Sequence, residues 1–153
     1  MTKVKLPSNG KEMANFLKKR LENLFKKKSI DIAFLGGSWS KDRNIWNSDI
    51  DIFISYKDFL EVDSKAQLFF LTTLSIKIEE LTNFQEIEVS VLEILPLHVQ
   101  FNVVRDGILL YERLEGVKAK YLEELLPRYY DHIIWYRNML KQSRYFISEE
   151  EGN

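Results

Sequence analysis

The sequence predicts one domain of the α/β class, of the α+β type, in which a mixed β-sheet is flanked by helices and followed by C-terminal helices. Its 153 residues are the usual length of one domain and contain no internal repeat. The composition, 45% hydrophobic and 29% charged, is ordinary for a globular protein. Helical and strand-like hydrophobic patterns interleave, so helices and strands share one core. We expect this domain to span residues 1–148, ahead of an acidic tail at residues 149–153.

The composition excludes several kinds of site. The chain has no cysteine, which rules out a disulfide framework, a thiolate zinc site and a cysteine nucleophile. Its two histidines, His98 and His132, are too few for a histidine-rich metal site. The sequence has neither a run of 18 apolar residues nor an apolar N-terminal stretch of the signal-peptide type. We therefore expect no membrane contact and a cytoplasmic location.

The first segment predicts an amphipathic helix that ends near Lys28. Pro7, Ser8 and Asn9 form a turn and capping signal. Apolar residues then recur on one helical face, at Met13, Phe16, Leu17, Leu21, Leu24 and Phe25. Residues 1–28 carry a net charge of +7, and the remainder carries −8. This asymmetry indicates either a surface for an acidic partner or a solvated helix face.

Two predicted strands flank a polar loop. Residues 30–35 (IDIAFL) form a short apolar run that ends at Gly36-Gly37, which predicts a strand followed by a turn. Residues 49–56 (DIDIFISY) alternate between polar and apolar side chains and predict a second strand. Residues 36–48 between them are polar and predict a loop.

The middle of the chain predicts a helix, a strand and an ambiguous stretch. Residues 64–82 contain no glycine or proline and have apolar residues on more than one helical face, which predicts a well-buried helix. Residues 85–93 (QEIEVSVLE) alternate strictly and predict a third strand. The apolar residues within 95–105 fit a helix and a strand equally.

The C-terminal part predicts one more strand and two helices. Asp106-Gly107 is a turn signal, and residues 108–111 form a short strand after it. Residues 117–147 have a helical pattern that Pro127 interrupts. Because proline is tolerated at the first position of a helix, we expect two helices to meet there. The acidic tail is expected to be frayed.

Two aspartates on the second strand are the first candidates for chemistry. Side chains alternate along a strand, so Asp49 and Asp51 share one face while Ile50 and Ile52 share the other. Neighbouring carboxylates repel each other, and a divalent cation relieves this repulsion. Mg²⁺ prefers oxygen ligands and keeps positions open for water and substrate phosphates. The pair therefore predicts a magnesium site.

The glycine turn before these aspartates predicts a phosphate site. Gly36-Gly37-Ser38 follows a strand, and such a turn exposes backbone N–H groups to which the hydroxyl of Ser38 adds a donor. A phosphate cradle beside a metal suits a metal-bound nucleoside triphosphate. Lys41 and Arg43 of the same loop either contact the triphosphate or are solvated.

The third strand offers a third acid. Glu86 and Glu88 lie on one face of it. If that face adjoins Asp49 and Asp51, Glu88 completes a triad able to hold two Mg²⁺ ions. One ion would lower the pKa of an attacking hydroxyl, and the other would hold the triphosphate. An exposed strand face explains both glutamates equally well.

The glycine turn and the aspartate pair resemble a family signature. Leu35, Gly37-Ser38, ten intervening residues and then Asp49-Ile50-Asp51-Ile52 are similar to the signature of nucleotidyltransferases related to DNA polymerase beta. The chain length, residues 104–112 (VRDGILLYE) and the helical end resemble the minimal nucleotidyltransferase (MNT) group, especially the MntA-like antitoxins. The sequence departs from MNT proteins twice: no arginine directly follows Gly-Ser, and the third acid is Glu88 where aspartate is common.

The resemblance implies a nucleotidyltransferase fold in which residues 95–105 are helical. It implies an antitoxin that transfers AMP from ATP to a tyrosine of a cognate HEPN toxin, a helical ribonuclease, and releases pyrophosphate. The partner would be that toxin in a hetero-oligomer, without direct nucleic-acid binding by this chain. Catalysis with two Mg²⁺ ions and ATP would involve two groups of residues. These are the acids Asp49, Asp51 and Glu88, and the nucleotide-binding Gly37, Ser38, Lys41 and Arg43.

Two other functions compete with this one. A nucleotidyltransferase acting on a small molecule such as an aminoglycoside usually has a larger second domain, and the roughly 40 residues after Tyr111 are few for one. A non-catalytic module would mask its partner by contact alone. The loss of a triad acid would favour that module, and all three acids are present.

Overall fold

The computed structural model of the chain describes residues 7–41 and 49–151, with side chains up to residue 144. Two short 3-10 helices, Lys57–Glu61 and Leu92–Ile94, connect longer elements. Those elements are, in chain order, α1 (Gly10–Lys27), β1 (Ile32–Leu35), α2 (Gly37–Ser40), β2 (Ile50–Ser55), α3 (Ser64–Thr82), β3 (Ile87–Val91), α4 (Leu97–Asp106), β4 (Ile108–Glu112) and α5 (Val117–Glu151).

The four strands form one mixed sheet in the order β3-β2-β1-β4, which confirms the predicted fold class. β1 is antiparallel to both β2 and β4. β2 and β3 are parallel, since α3 crosses over between them. This parallel pair sets Asp51 beside Glu88 and Ile50 beside Ile87.

Helices α1 and α3 cover one face of the sheet. The core on this face contains Ile50, Ile52 and Ile54 of β2, packed with the buried side of α1. α1 begins where the capping signal lies. The Asn9 side chain accepts from the Glu12 N–H at 2.8 Å, while the Glu12 carboxylate accepts from Ser8.

Helices α4 and α5 cover the other face. Their core consists of Ile32, Phe34, Leu92, Val103, Val104 and Leu125. Residues 95–105, which the sequence pattern left ambiguous, lie mostly in α4, so they are helical as the family resemblance implies. Gln100 of α4 is buried, donates to the Leu95 carbonyl at 2.8 Å and accepts from the Tyr121 hydroxyl at 2.6 Å. A helix is favoured here because it aligns Gln100, Val103 and Val104 on the face that meets α5.

The C-terminal segment differs from the prediction of two helices, because α5 is continuous through Pro127. A proline inside a helix removes one hydrogen bond. Packing on both sides of it favours the continuous helix: Leu125 is buried before it, and Tyr129 after it stacks on Phe101 at 4.1 Å. Pro127 is exposed, so water can reach the carbonyl that it leaves without a helical donor. The helix continues to Glu151, into the expected acidic tail.

Helix α3 has the predicted bounds but not the predicted burial. Only Leu74, Ile78 and Thr82 are buried, whereas Leu68 and Phe69 are 68% and 73% exposed. The sheet covers only one side of α3, and α3 has more apolar residues than that side can hold. Across residues 7–41 and 49–151, no helix is long and apolar enough to cross a bilayer.

Candidate active site

The glycine turn at the end of β1 touches Asp51 directly. The Gly36 N–H donates to the Asp51 carbonyl at 2.9 Å. Gly37 has a φ of +64°, which favours glycine, and a Cβ atom there would lie 2.1 Å from Oδ2 of Asp51. Position 37 therefore favours glycine for two reasons, its backbone conformation and its contact with the carboxylate.

The loop expected at residues 36–48 begins instead with a helical turn. Residues 37–40 form α2, in which the Ser40 hydroxyl donates to the Gly37 carbonyl at 2.9 Å. Trp39 is 7% exposed and packs in the core, so it anchors this turn. The anchored turn holds Gly37 and Ser38 at the end of the sheet where Asp51 lies.

Asp51 and Glu88 are neighbours across β2 and β3. They are register partners in the parallel pair, and their side chains share one face of the sheet. Burial raises the pKa of Asp51 above its ordinary value, and the charges of Glu88 and then Asp49 raise it further. The sequence analysis names Glu88 as the third acid, and the register sets Glu88 beside Asp51.

Asp49 and Glu86 form a second, more exposed pair. Asp49 directly precedes β2, and the backbone N–H of Ile50 donates to the Glu86 carbonyl at 3.0 Å. A side-chain hydrogen bond with Asp49, and then the Asp49 charge, raise the pKa of Glu86. The four acids therefore lie in two adjacent pairs along the strands.

The donor chemistry at this site fits a divalent cation. Three carboxylates that interact electrostatically, one of them partly buried, leave a negative charge that an oxygen-preferring cation would neutralise. Asp49 is hydrogen-bonded to Glu86, and within residues 7–41 and 49–151 no three acidic or histidine side chains form a ready-made metal cluster.

Of the two basic residues expected to contact the triphosphate, the structure describes only Lys41. Lys41 lies at the end of α2 and is exposed. Arg43 lies outside the described residues. Arg105 and Asp106, at the end of α4, are additional charged residues near Lys41. Arg105 pairs with Asp106 through two 2.9 Å contacts, and this bond, followed by the charge of Lys41, lowers the pKa of Asp106.

Gly107 brings this ion pair close to the glycine turn. A Cβ atom on Gly107 would lie 3.3 Å from the Leu35 carbonyl, so the end of α4 packs against the end of β1. In the sequence, Asp106-Gly107 is a turn signal and Arg105 belongs to the family resemblance, but neither observation predicts that this ion pair lies near the site.

The sequence matches the family of polymerase beta nucleotidyltransferases over residues 19–116. This range includes the glycine turn, both aspartates, Glu88 and all four strands. The chain therefore belongs to this nucleotidyltransferase family, as the glycine–aspartate signature predicts. A search of curated proteins gave no match.

Solved toxin–antitoxin structures share the fold. One is a toxin–antitoxin complex with AMP-PNP, with a TM-score of 0.57 and 18% identity over 88% of this chain and 97% of that chain. Another contains a tri-AMPylated Shewanella oneidensis HEPN toxin with its MNT antitoxin, with a TM-score of 0.58 and 16% identity over 86% and 98%. A third, of MntA and HepT, has a TM-score of 0.57 and 16% identity over 84% and 97%. The expected MNT-like architecture is thus confirmed at the level of fold.

Proposed function

We propose that this chain is a magnesium-dependent protein adenylyltransferase that transfers AMP from ATP to a tyrosine of a HEPN toxin, and so acts as an antitoxin. The observation that carries the proposal is the packing of Gly37 directly on Asp51, with Glu88 beside it in register. Membership of the nucleotidyltransferase family supports the reaction class. The structural neighbour with AMP-PNP supports ATP as the co-substrate, and the neighbour with an AMPylated HEPN toxin supports such a toxin as the acceptor of AMP.

The proposed roles follow from position. Asp49, Asp51 and Glu88 would hold two Mg²⁺ ions, which when bound lower the pKa of the attacking hydroxyl and screen the triphosphate. The backbone at Gly37 and the hydroxyl of Ser38 would donate to the triphosphate from the turn. Lys41 and Arg43 are the proposed cationic contacts to the same phosphates.

The reaction is an in-line displacement at the α-phosphorus of ATP. The tyrosine hydroxyl oxygen attacks that phosphorus, the bond to the bridging oxygen of the β-phosphate breaks, and pyrophosphate leaves. Glu88 is placed to orient the hydroxyl and accept its proton, because it lies beside Asp51 but is exposed at the sheet edge where an acceptor can approach. The AMP then remains on the toxin.

The toxin-binding surface that we propose is the part of α5 from Tyr130 onward. Its exposed large residues are Tyr130, Ile134, Trp135, Tyr136, Met139 and Leu140. Aromatic residues of this kind are common anchors at protein interfaces. The lysine-rich side of α1 supplies a positive surface that would steer an acidic partner.

Co-expression with a HEPN toxin tests the proposal. The toxin purified with the native chain should gain the mass of AMP on one or more tyrosines and lose ribonuclease activity. With the Asp49→Asn, Asp51→Asn double variant, the transfer rate should fall at least about 1,000-fold, because metal ions contribute several kcal/mol of transition-state stabilisation. Matched circular dichroism spectra would show that the variant folds.

The second candidate is neutralisation by contact alone, which the exposed aromatic residues of α5 support because they can anchor a partner without any transfer step. A toxin that never gains the mass of AMP, yet is inhibited equally by the native chain and by the double variant, would establish this function. Magnesium-dependent mass gain by the native chain would exclude it as the main activity.

A further inference from the structure

Helix α4 and the candidate catalytic acids lie on the same side of the sheet. Ile52 of β2 packs in the core beneath α1 and α3, whereas Phe53 packs against the core beneath α4 and α5. Because side chains alternate along a strand, Asp51 points to the same side as Phe53. Its register partner Glu88 shares that side. Charged residues at the end of α4 are therefore on the side of the sheet where the acids lie.

The glycine turn lies on this side as well. A Cβ atom on Gly36 would overlap the ring of Phe53, and one on Gly37 would overlap the carboxylate of Asp51. The turn thus rests on the two side chains of β2 that point toward the α4 side. A phosphate held by this turn would therefore be open to groups at the end of α4.

The chain passes from α4 into the sheet directly beside the glycine turn. The first residue of β4, Ile108, pairs with Leu35, the last residue of β1, and Gly107 packs on the Leu35 carbonyl. In the strand order β3-β2-β1-β4, β1 lies between β2 and β4. The acids of β2 and β3 are thus on one side of the glycine turn, and Arg105 and Asp106 are on the other.

Two contacts hold the guanidinium of Arg105. Its Nε and one terminal nitrogen donate to the two carboxylate oxygens of Asp106, both at 2.9 Å. The guanidinium also lies over the ring of Phe101, 5.4 Å from the ring centroid. A guanidinium carries five N–H donors, so the pair with Asp106 leaves several for a ligand. The Arg105 side chain is 56% exposed, and a ligand can therefore reach those donors.

Positive charge exceeds negative charge at this end of α4. Lys41, at the end of α2, is close enough for its charge to act on the Asp106 carboxylate. Two cations, Lys41 and Arg105, thus surround one carboxylate. Cationic side chains beside exposed backbone N–H groups are a common arrangement for binding phosphate, and the planar fork of arginine matches phosphate oxygens.

We infer that Arg105 binds the outer phosphates of the nucleoside triphosphate, and that Asp106 and Phe101 position its guanidinium. The inference rests on the proposed function, in which the α-phosphate lies at the acids and the remaining phosphates lie over the glycine turn. From the acids, the phosphate chain crosses the turn toward β4, where Arg105 lies. Arg105 would then distinguish a triphosphate from a monophosphate and stabilise the charge of the departing pyrophosphate.

A second arginine–aspartate pair provides a matched control. Arg113 follows β4 at the end of the strand that is opposite to the glycine turn, and its guanidinium lies 3.6 Å from Asp31. The side chain of Arg113 is 55% exposed, almost the same as that of Arg105. The two arginines thus flank one strand, and only Arg105 lies beside the turn.

Equilibrium dialysis of the full chain with Mg²⁺ and labelled ATP or AMP tests the inference in the absence of toxin. Arg105→Gln should weaken ATP binding about tenfold, because it removes charge-assisted hydrogen bonds to phosphate. AMP lacks the outer phosphates, so its affinity should change less than about twofold, since a screened charge beyond direct contact contributes little. Arg105→Lys keeps the charge but loses the fork, and should weaken ATP binding about threefold.

Arg113→Gln should leave ATP binding unchanged, and because both arginines are exposed, each variant should keep the native melting temperature. Equal ATP affinity of Arg105→Gln and the native chain overturns the inference. An equal loss with Arg113→Gln, or an equal loss for ATP and AMP, overturns it too. Should Arg105→Gln unfold, Arg105→Lys decides alone, and native ATP affinity in that variant overturns the inference.

These outcomes are independent of the proposed adenylyl transfer. If ATP binding depends on Arg105 but the toxin never gains AMP, the phosphate site stands and the transfer fails. If the toxin gains AMP and Arg105→Gln binds ATP as the native chain does, the transfer stands and the role of Arg105 fails. A native chain that binds no ATP overturns both.

Discussion

The two ends of β2 differ in the surroundings of the carboxylate that lies at each. At the end near the glycine turn, burial raises the pKa of Asp51, and the like charges of Glu88 and then Asp49 raise it further. At the far end, Ser55 is buried and donates its hydroxyl to Glu93. The backbone N–H of Tyr56 donates to the same carboxylate at 3.3 Å.

The partners of each carboxylate indicate whether it has a structural or a chemical role. Glu93 receives two hydrogen bonds from the chain itself, so it stabilises the end of β2. Asp51 lies among carboxylates, so it favours a cation that the protein does not supply. The two ends of β2 thus lie beside different acids. One is Glu93, a structural acid in the 3-10 helix after β3, and the other is Asp51, a candidate catalytic acid of β2 itself.

The largest effect expected concerns the glutamates opposite the aspartates. Glu88→Gln should lower the AMP transfer rate about 100-fold or more and change ATP affinity little, because the group accepts a proton in the transition state. Glu86→Gln, two residues away on the same face, should change the rate less than about threefold. Single-turnover transfer to the toxin and ATP titration measure the two quantities. A silent Glu88→Gln with a damaging Glu86→Gln would reverse the assignment of the third acid.

An intermediate effect is expected at the structural end of the strand. Glu93→Ala leaves the buried Ser55 hydroxyl and the Tyr56 N–H without their acceptor, which should lower the unfolding free energy by about 2 kcal/mol and the melting temperature by roughly 5 °C. Ser55→Ala removes the donor instead and should cost less than about 1 kcal/mol. Thermal and urea unfolding measure both. If Glu93→Ala abolished transfer while leaving stability unchanged, Glu93 would belong to the site.

The smallest effect is a change in stability at Asp51 in metal-free buffer. The pKa of this carboxyl is raised in the folded state above its ordinary value of 3.8, so ionisation disfavours folding. The destabilisation by the ionised Asp51 carboxyl is absent when the pH is below the pKa of this group in the unfolded state. It is complete once the pH exceeds the pKa of this group in the folded state. Asp51→Asn should therefore stabilise the protein at pH 7, by less than about 1 kcal/mol because Asp51 is partly solvated.

The same gain should vanish as the pH falls below the ordinary value of 3.8, where the carboxyl is protonated in both the folded and the unfolded state, and it should shrink when Mg²⁺ is added. Melting temperatures of native chain and variant at the two pH values, with EDTA and with Mg²⁺, measure it. An Asp51→Asn variant that is less stable at pH 7 without metal would show that the carboxylates do not repel one another as described.

Helices α1 and α3 show how far the sequence predicts burial. For α1 the apolar residues lie on one side, so the sequence predicts both the helix and its buried face. For α3 the sequence predicts the bounds correctly, but the burial that its apolar residues on two sides predict is wrong, because Leu68 and Phe69 are exposed. Burial depends on what lies against each side, and this is set by elements that are distant in sequence.

The sequence by itself determined what depends on spacing. The alternation of Asp49 and Asp51, the glycine turn before them and the strand that carries Glu88 follow from local geometry, and they identified the family. The helical period likewise determined the bounds of α3, and the capping signal the start of α1.

Only the tertiary structure decided which residues meet. The parallel register of β2 and β3, which depends on the crossover through α3, placed Glu88 beside Asp51 and Glu86 beside Asp49. Packing of Leu125 and Tyr129 against α4 kept α5 continuous through Pro127, where local propensity predicts a break. Spacing along the chain sets which face a side chain occupies, whereas long-range packing sets which neighbour it finds there.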